Sequence, residues 1–177
     1  MYPALVFTSL MCVLFQFDPI QAWVVWDHNA IANGQWWRIV TGNFSHTNLS
    51  HLAMNLAGLW VICFVFQPSR IRLLAYLFII SLFTGTGLLA TDIQSYVGLS
   101  GTLHGLFGVF ALTEALTGRR SSWLLVAGLV AKVAWEQFVG PSATTGALIN
   151  ARVAIEAHLI GALGGFLLAW IKVKRRI

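Results

Sequence analysis

A serine between glycines, in the run Gly98-Leu99-Ser100-Gly101, is the residue of this sequence best placed to do chemistry. It opens an otherwise apolar segment, where a hydroxyl must find a partner or serve a function. The glycines leave the serine oxygen unshielded. A helix that starts here offers free backbone N–H groups suited to stabilising an oxyanion. The pattern predicts that Ser100 is a nucleophile.

The candidate general base for Ser100 is His158, because a neutral imidazole accepts a serine proton. Stripes of small residues accompany both side chains: Ala157, Gly161 and Gly165 with Gly164 beside them, and Gly101, Gly105 and Gly108. Since small residues let membrane helices approach closely, two such helices would bring Ser100 and His158 into hydrogen-bond range. The alternative is a buried histidine bonded to a backbone carbonyl, although intramembrane histidines are rare enough to indicate function.

No carboxylate has a spacing that would orient His158. Glu156 is two residues away and points to another helix face, where Arg152 at i−4 can pair with it. Asp92 lies in a predicted loop and stays open as a partner. The sequence therefore favours a Ser–His dyad without an acid.

Two further sets of charged residues are interpreted as ion pairs. Lys132 and Glu136 share a helix face at i, i+4, and such a pair is costly near the membrane interior unless it is matched. The alternative for this pair is a part in a substrate gate. Glu114 is expected to meet Arg119 or Arg120.

The candidate oxyanion donors are His51 and Asn55, which lie at i, i+4 on one helix face. Both can donate hydrogen bonds together with the backbone N–H of Ser100. The alternative is a polar clamp between helices. His104 is four residues after Ser100, where it could stack on or bond to the reacting pair, or compete as the base. His46 is expected to be structural or interfacial.

The composition defines the setting of these residues. The chain has 177 residues, of which 58% are hydrophobic and 10% charged. A soluble domain carries about a quarter charged residues, so the sequence indicates an integral membrane protein with one domain over residues 1–177. The net charge of +5 is no sign of nucleic-acid binding, because the basic residues cluster between apolar segments. Cys12 and Cys63 are interpreted as unpaired core residues.

Six apolar segments are interpreted as transmembrane helices. They are Tyr2–Phe17, Leu49–Gln67, Ile71–Ala90, Gly98–Leu116, Ser122–Val139 and Arg152–Ile171. The fold class is thus an all-α polytopic membrane protein, a six-helix bundle. The first segment would reach only about 24 Å as a helix. The tryptophan-rich connection from Asp18 to Asn48 predicts a partly helical loop in the membrane surface, where Trp37 and Arg38 act as anchors.

Basic residues set the expected orientation. They follow the second, fourth and sixth segments: Arg70 and Arg72; Arg119 and Arg120; Lys172, Lys174, Arg175 and Arg176. The positive-inside rule then places both termini in the cytoplasm. His51, Ser100 and His158 each lie early in one of the three segments that begin at the outer face. The three side chains are therefore expected to share one depth near that face.

Together these motifs resemble those of the rhomboid intramembrane serine proteases. The residues that carry the resemblance are Trp37 with Arg38, His46, the run from His51 to Asn55, the run from Gly98 to Gly101, and Ala157 with His158 and Gly161. The resemblance implies a Ser100–His158 dyad, an oxyanion site of His51, Asn55 and the Ser100 N–H, and a water-filled cavity open to the outside. It also implies that the fifth segment and the loop from Gly140 to Asn150 form the mobile side toward substrate.

One residue departs from the general rhomboid pattern. Rhomboids commonly have a tyrosine four residues after the nucleophile, where this chain has His104. With the small size and the run from Ser100 to Gly105, this resembles the rhombosortase branch. That branch implies membrane-anchored substrates with a C-terminal Gly-Gly motif, an apolar helix and a basic tail. The resemblance places the protein in a bacterial-type inner membrane.

The expected reaction is cleavage of a peptide bond in or near a transmembrane segment of a protein in the lipid bilayer, with transfer to another amine as a variant. No cofactor or metal is expected, because the histidines lack the His-Glu-x-x-His spacing of metalloproteases. The alternatives are a general rhomboid protease with other substrates, an inactive rhomboid-like protein that binds membrane clients, and a small transporter with histidine proton relays. The presence of both Ser100 and His158 disfavours the second. The third would predict an inverted repeat, which the sequence does not show.

Overall fold

The computed structural model describes residues 1–175, so Arg176, one of the basic residues named above, lies outside the described residues. Within that range the helices are α1 Tyr2–Leu14, α2 Asp18–Val24, α3 His28–Ala32, α4 Arg38–Thr41, α5 Leu49–Phe66, α6 Arg70–Gly87, α7 Ser100–Leu116, α8 Ser122–Val139, α9 Ala143–Ile149 and α10 Ile155–Lys174. Two short strands, β1 Trp26–Asp27 and β2 Ser95–Tyr96, pair with each other. The fold is therefore mostly helical.

Within residues 1–175, four helices are long and apolar enough to cross a membrane: α5, α6 with its extension to Ala90, α8 and α10. A fifth candidate is the pair of α1 and α2, which is bent by 104°. The first apolar segment was expected to continue to Phe17, but α1 ends at Leu14. α7 has 17 residues, about 26 Å of helix, against about 30 Å for a bilayer core. The expected count of six spans is therefore not confirmed.

Local sequence signals explain where the site-bearing helices begin and end. Asn48 caps α5, because its side-chain oxygen accepts a hydrogen bond from the backbone N–H of His51 at 2.8 Å. The same helix ends at Phe66 and is followed by its C-cap residue, Gln67, which has a left-handed conformation (φ 43°) directly before Pro68. The cap fixes the first turns of α5, which carry His51 and Asn55.

The connection from Asp18 to Asn48 is structured and partly helical, as predicted, but it also contains a strand that the sequence did not indicate. β1 pairs antiparallel with β2, with Trp26 opposite Tyr96. The fully buried indole of Trp26 donates to the backbone carbonyl of Gly85 on α6 at 2.9 Å. The connection therefore holds the segment that leads directly into Ser100.

Helices α7 and α10 pack through four glycines, which we call the glycine seam: Gly101 and Gly105 on α7, and Gly161 and Gly165 on α10. A Cβ atom at Gly161 would overlap the backbone carbonyl of Gly101, and one at Gly165 would overlap that of Gly105. The expected close approach of the two stripes is confirmed at these positions. It fixes the relative position of the first residues of both helices.

The outer surfaces of the helices carry large apolar side chains, as expected for an integral membrane protein. Five of these residues are more than 70% exposed: Leu49, Phe64, Ile71, Leu124 and Phe138. In lipid such side chains need no protein cover. Cys12 and Cys63 are buried and unpaired, in agreement with the sequence interpretation.

Candidate active site

The side chains of Ser100 and His158 meet across the glycine seam. Ser100 is the first residue of α7, and His158 lies in the first turn of α10. The hydroxyl oxygen of Ser100 is 2.9 Å from Nε2 of His158. The glycine seam brings the starts of α7 and α10 close together. The two side chains are therefore within hydrogen-bond distance of each other.

The other ring nitrogen of His158 contacts a carboxylate. Oε2 of Glu136, on α8, lies 2.9 Å from Nδ1 of His158. The expectation that no carboxylate would reach His158 is therefore wrong, because α8 packs beside α10 and places Glu136 against it. Glu156 forms the predicted ion pair with Arg152 instead, and Asp92 is exposed.

The predicted pair of Lys132 and Glu136 is present. Nζ of Lys132 lies 2.7 Å from Oε1 of Glu136. The two oxygens of one carboxylate therefore serve two partners, Lys132 on the same helix and His158 on α10. Glu114 forms the other expected pair, at 3.1 Å from the guanidinium of Arg119.

His104 stacks on His158 but does not contact the Ser100 hydroxyl. The two imidazole rings lie nearly parallel, with centroids 4.1 Å apart and an angle of 14°. Nδ1 of His104 is 2.7 Å from the backbone carbonyl of Ser100, to which it must donate. The geometry favours stacking over the alternative in which His104 competes as the base.

His104, Glu136 and His158 also place three potential metal-ligand atoms within 4.8 Å of one another. The lone pairs of an imidazole lie in the plane of its ring, so two parallel stacked rings direct them side by side rather than at one ion. Both nitrogens of His158 already have hydrogen-bond partners. We assign no metal to this cluster.

The two candidate oxyanion donors line the same space as Ser100. His51 and Asn55 are 6% and 5% exposed, and Nδ2 of Asn55 has no hydrogen-bond partner. Gly98 lies against them with a φ of +131°, and a Cβ there would come within 2.8 Å of the His51 ring. Glycine suits this position because it tolerates the positive φ and has no Cβ to collide with the His51 ring.

A cavity of about 740 Å³ joins these groups. Its lining includes Ser100, His158, His51, Asn55, Glu136 and His104. One wall is α9, a helix within residues 140–150 that the sequence analysis took for a loop. The Thr47 hydroxyl donates to the carbonyl of Ile149 at 2.7 Å, and the Asn48 amide donates to that of Leu148 at 3.2 Å. These bonds connect α9 to the start of α5.

Tyr96 is a site neighbour that the sequence analysis missed. Its buried hydroxyl donates to the carbonyl of Gly98, and burial raises the pKa of Tyr96, so the hydroxyl keeps its proton. A strand of two residues is too short to give a periodic signal. The chain offered no other sign that Trp26 and Tyr96 pair.

The expected anchors Trp37 and Arg38 hold the connection together. Trp37 stacks on Trp23, with ring centroids 6.2 Å apart, and its indole donates to the Trp23 carbonyl at 2.9 Å. The guanidinium of Arg38 donates three hydrogen bonds, to the Gln35 side chain and to the carbonyls of Val25 and Ala22. Neither side chain contacts Ser100; both shape the segment that supports it.

His46 packs against one of the oxyanion candidates. Its fully buried ring meets the His51 ring edge-on, with centroids 5.0 Å apart. Burial, and to a lesser extent the neighbouring His51, lowers the pKa of His46 to about 3. His46 is therefore neutral at physiological pH.

Comparison with known families identifies the protein class. The Rhomboid domain model matches residues 33–175, a range that contains Ser100, His158, His51 and Asn55. The chain belongs to the rhomboid family. The four or five candidate spans and this membership together make the protein an integral membrane protein of that family.

Two similar proteins carry rhomboid protease names. The "Putative rhomboid protease YdcA" of Bacillus subtilis (strain 168) is 28% identical over 197 aligned positions, which cover 99% of this rhomboid and 92% of YdcA. The "Rhomboid protease GlpG" of Yersinia pestis (strain Pestoides F) is 26% identical over 153 positions, which cover 85% of this chain. The alignment covers 53% of GlpG, so this rhomboid spans about half of that protein.

Proposed function

We propose that this rhomboid is an intramembrane serine endopeptidase that cleaves membrane-anchored proteins in or near a transmembrane segment. The observation that carries the proposal is the 2.9 Å contact between the Ser100 hydroxyl and Nε2 of His158 at the cavity surface. A serine bonded to a histidine base beside unused donors is the arrangement that acyl transfer requires. The names of the relatives support the same reaction class.

The proposed reaction has two halves. Nε2 of His158 takes the Ser100 proton while the serine oxygen forms a bond to the substrate carbonyl carbon. The carbonyl π electrons move to its oxygen, and the C–N bond then breaks as His158 gives the proton to the leaving amine. Water, activated in turn by His158, releases the acyl group from Ser100. An amine in place of water would give transfer rather than hydrolysis.

We infer that three groups lining the cavity donate to the developing oxyanion: the backbone N–H of Ser100, Asn55 and His51. The first-turn N–H groups of α7, including that of Ser100, have no acceptor within the helix, and Nδ2 of Asn55 has no partner. His51 contributes when its proton is on Nε2. The backbone N–H of Thr47 lies 3.4 Å from Nδ1 of His51 and can only donate, which favours that tautomer. An unpaired buried donor is costly, and an oxyanion would satisfy it.

We place the protein in a bacterial-type inner membrane with both termini in the cytoplasm and the cavity toward the outside. The support is that basic residues occur at the helix ends opposite the site. Arg70 follows the end of α5, Arg119 and Arg120 follow α7, and Lys172 and Lys174 end α10. The starts of α5, α7 and α10 carry the site, so the positive-inside rule directs it outward.

For the substrate we propose anchors of the rhombosortase kind, with a Gly-Gly motif, an apolar helix and a basic tail. The support is His104 in place of the common tyrosine and the run from Ser100 to Gly105. A general rhomboid substrate is the alternative. Cleavage of a membrane-anchored reporter with Gly-Gly before its helix, compared with the same reporter carrying Val-Val, separates the two: equal cleavage of both reporters contradicts the Gly-Gly proposal.

The test of the reaction class is labelling of the purified protein in lipid with a fluorophosphonate, followed by mass spectrometry of the adduct. We expect labelling on Ser100, none in Ser100→Ala, and at least 10²-fold slower labelling in His158→Ala. His104→Ala is the matched control for loss of the stacked ring and should label far faster than His158→Ala. Folded wild-type protein that resists labelling would contradict the proposal and favour the client-binding alternative.

A further inference from the structure

The carboxylate of Glu136 occupies the position from which a third group orients a histidine base. We propose that Glu136 is a positioning residue for His158, so that the site acts as a Ser100–His158–Glu136 triad rather than as a dyad. This inference rests on the proposed function of Ser100 and His158. It adds to that function a residue from α8 and an ion pair that holds the residue in place.

The three groups form one continuous chain of hydrogen bonds. Ser100 Oγ is 2.9 Å from Nε2 of His158, and Nδ1 of the same ring is 2.9 Å from Oε2 of Glu136. An ionised carboxylate can only accept, so Nδ1 carries the ring proton and Nε2 is left with the lone pair. That is the tautomer which can take a proton from the serine. Glu136 therefore selects the reactive form of His158 before a substrate arrives.

Lys132 explains how a carboxylate is kept in this sheltered place. The side chain of Glu136 is 11% exposed, whereas that of Lys132 is 50% exposed. A carboxylate within a membrane protein is costly without a matching charge, and Nζ of Lys132 supplies one at 2.7 Å from Oε1. This leaves Oε2 free for His158. The ion pair and the histidine contact thus use different oxygens and do not compete.

The same contact has a second consequence during the reaction. When His158 takes the serine proton, its ring becomes a cation between the Glu136 carboxylate and the stacked ring of His104. A carboxylate at hydrogen-bond distance stabilises that cation. The other nearby carboxylate, Glu156, is paired with Arg152 at the cavity edge. Glu136 is the carboxylate bonded to His158 in the described part of the chain.

A structural role is the competing explanation, because the Glu136–His158 contact also joins α8 to α10. Gln137, the residue after Glu136, offers a way to distinguish a structural role from positioning of His158. Nε2 of Gln137 donates to the backbone carbonyl of Ile155 at 3.0 Å, one turn before His158. Gln137→Leu removes an α8–α10 hydrogen bond without touching the imidazole. It is therefore a matched control for helix docking.

The experiment measures the rate constant for fluorophosphonate labelling of Ser100 in lipid for four variants. We expect Glu136→Gln to label about 10²-fold more slowly or worse. Glu136→Asp keeps the charge and should recover part of that loss. Lys132→Met should lie between wild type and Glu136→Gln, and Gln137→Leu should label within about threefold of wild type. Size-exclusion profiles and tryptophan fluorescence show which variants are folded. If Glu136→Gln does not fold, Glu136→Asp, expected to label about tenfold more slowly than wild type, takes its place.

A second readout does not depend on activity. In ¹⁵N-histidine NMR spectra, with His158 assigned from the signals lost in His158→Gln, we expect wild-type His158 to be protonated at Nδ1. We expect Glu136→Gln to lose this preference while Gln137→Leu keeps it. A structural role alone would leave the tautomer unchanged.

The outcomes separate this inference from the proposed function. Labelling of Glu136→Gln within about twofold of wild type, or an equal loss in Gln137→Leu, would overturn the inference while Ser100 remained the nucleophile. An unlabelled wild-type protein would overturn the proposed function, and the tautomer measurement would still decide whether Glu136 positions His158.

Discussion

The two sides of the candidate site are built in different ways. On the closed side, α7 and α10 touch through the glycine seam, and the tryptophan-rich connection covers the start of α7. On the open side, α8 and α9 form the cavity wall, and α8 has five buried residues among 18, compared with seven among 20 in α10. His158 contacts both sides, Ser100 through one nitrogen and Glu136 through the other.

The closed side fixes the relative position of α7 and α10, whereas the open side leaves α8 more freedom to adjust. Ser100 and His158 lie at the starts of two helices whose backbones are in direct contact, so the distance between those backbones cannot change without moving whole helices. Glu136 comes from a helix with few buried side chains, and its position depends on the ion pair with Lys132 and the bond to His158. We therefore expect that a displacement of the open side would leave the α7 and α10 backbones in place.

The largest expected effect comes from a side chain in the glycine seam. Gly161→Val places atoms on the Gly101 carbonyl, and neither backbone can withdraw. We expect a loss of about 3 kcal/mol of stability and loss of Ser100 labelling. The measurements are thermal unfolding in detergent and the labelling assay. Gly128→Val on α8, where a Cβ meets nothing within 4 Å, is the control and should stay folded and reactive.

If Gly161→Val and Gly128→Val had the same thermal stability and the same labelling rate, the closed and open sides would not differ in packing. A stable but unreactive Gly161→Val would refine the distinction between the two sides. Such a result would mean that the helices can separate slightly at the seam, and that the cost appears in the Ser100–His158 distance rather than in unfolding.

The next effect tests the fit of Gly98 against the oxyanion candidates. Gly98→Ala and Gly34→Ala both force an alanine into a left-handed backbone, at φ +131° and +93°. Each should lose about 1 kcal/mol of stability from backbone strain. Only at Gly98 does the new Cβ reach the His51 ring, at 2.8 Å. We therefore expect labelling of Gly98→Ala to fall about tenfold and that of Gly34→Ala to stay near wild type. Equal labelling rates would mean that the His51 ring moves aside without consequence.

Sequence reasoning predicted the features whose signals lie within one helix or a pair of helices. The small residues spaced three or four positions apart predicted the approach of α7 and α10, and the run around Ser100 predicted the position of the hydroxyl. The ion pair of Lys132 with Glu136 followed from their i, i+4 spacing. Each of these features involves only one or two helices, and the spacing of residues along a helix can be read directly from the sequence.

The contacts that could not be predicted, on either side of the site, depend on packing between distant segments. Glu136 is 22 residues from His158 along the chain, and no periodicity shows which face of α8 turns toward α10. The pairing of Trp26 with Tyr96 rests on two-residue strands, and α9 is a helix of seven residues among Gly, Ser and Thr. The bend between α1 and α2 likewise interrupts a segment that read as one apolar run.

The smallest expected effect concerns His46, which extends the closed side beneath His51. Its pKa is lowered from 6.5 to about 3 in the folded protein, first by burial and then by His51. The unfolded chain takes up a proton below pH 6.5 while the folded protein does not, so His46 makes folding less favourable as the pH falls from 6.5 toward 3. The expected loss is about 1 kcal/mol between pH 6.5 and pH 5.5. Above pH 6.5 both states are neutral and this contribution vanishes.

His46→Gln removes that titration and should flatten the stability profile in this window. The measurement is thermal unfolding of wild type and variant from pH 8 to pH 5. The values at pH 8 serve as the control for the loss of packing against His51. If the difference between the two proteins is the same at pH 8 and pH 5, His46 takes up protons equally in the folded and unfolded states. Such a result would mean that water reaches the His46 ring in the folded protein, so that His46 would not belong to the tightly packed closed side.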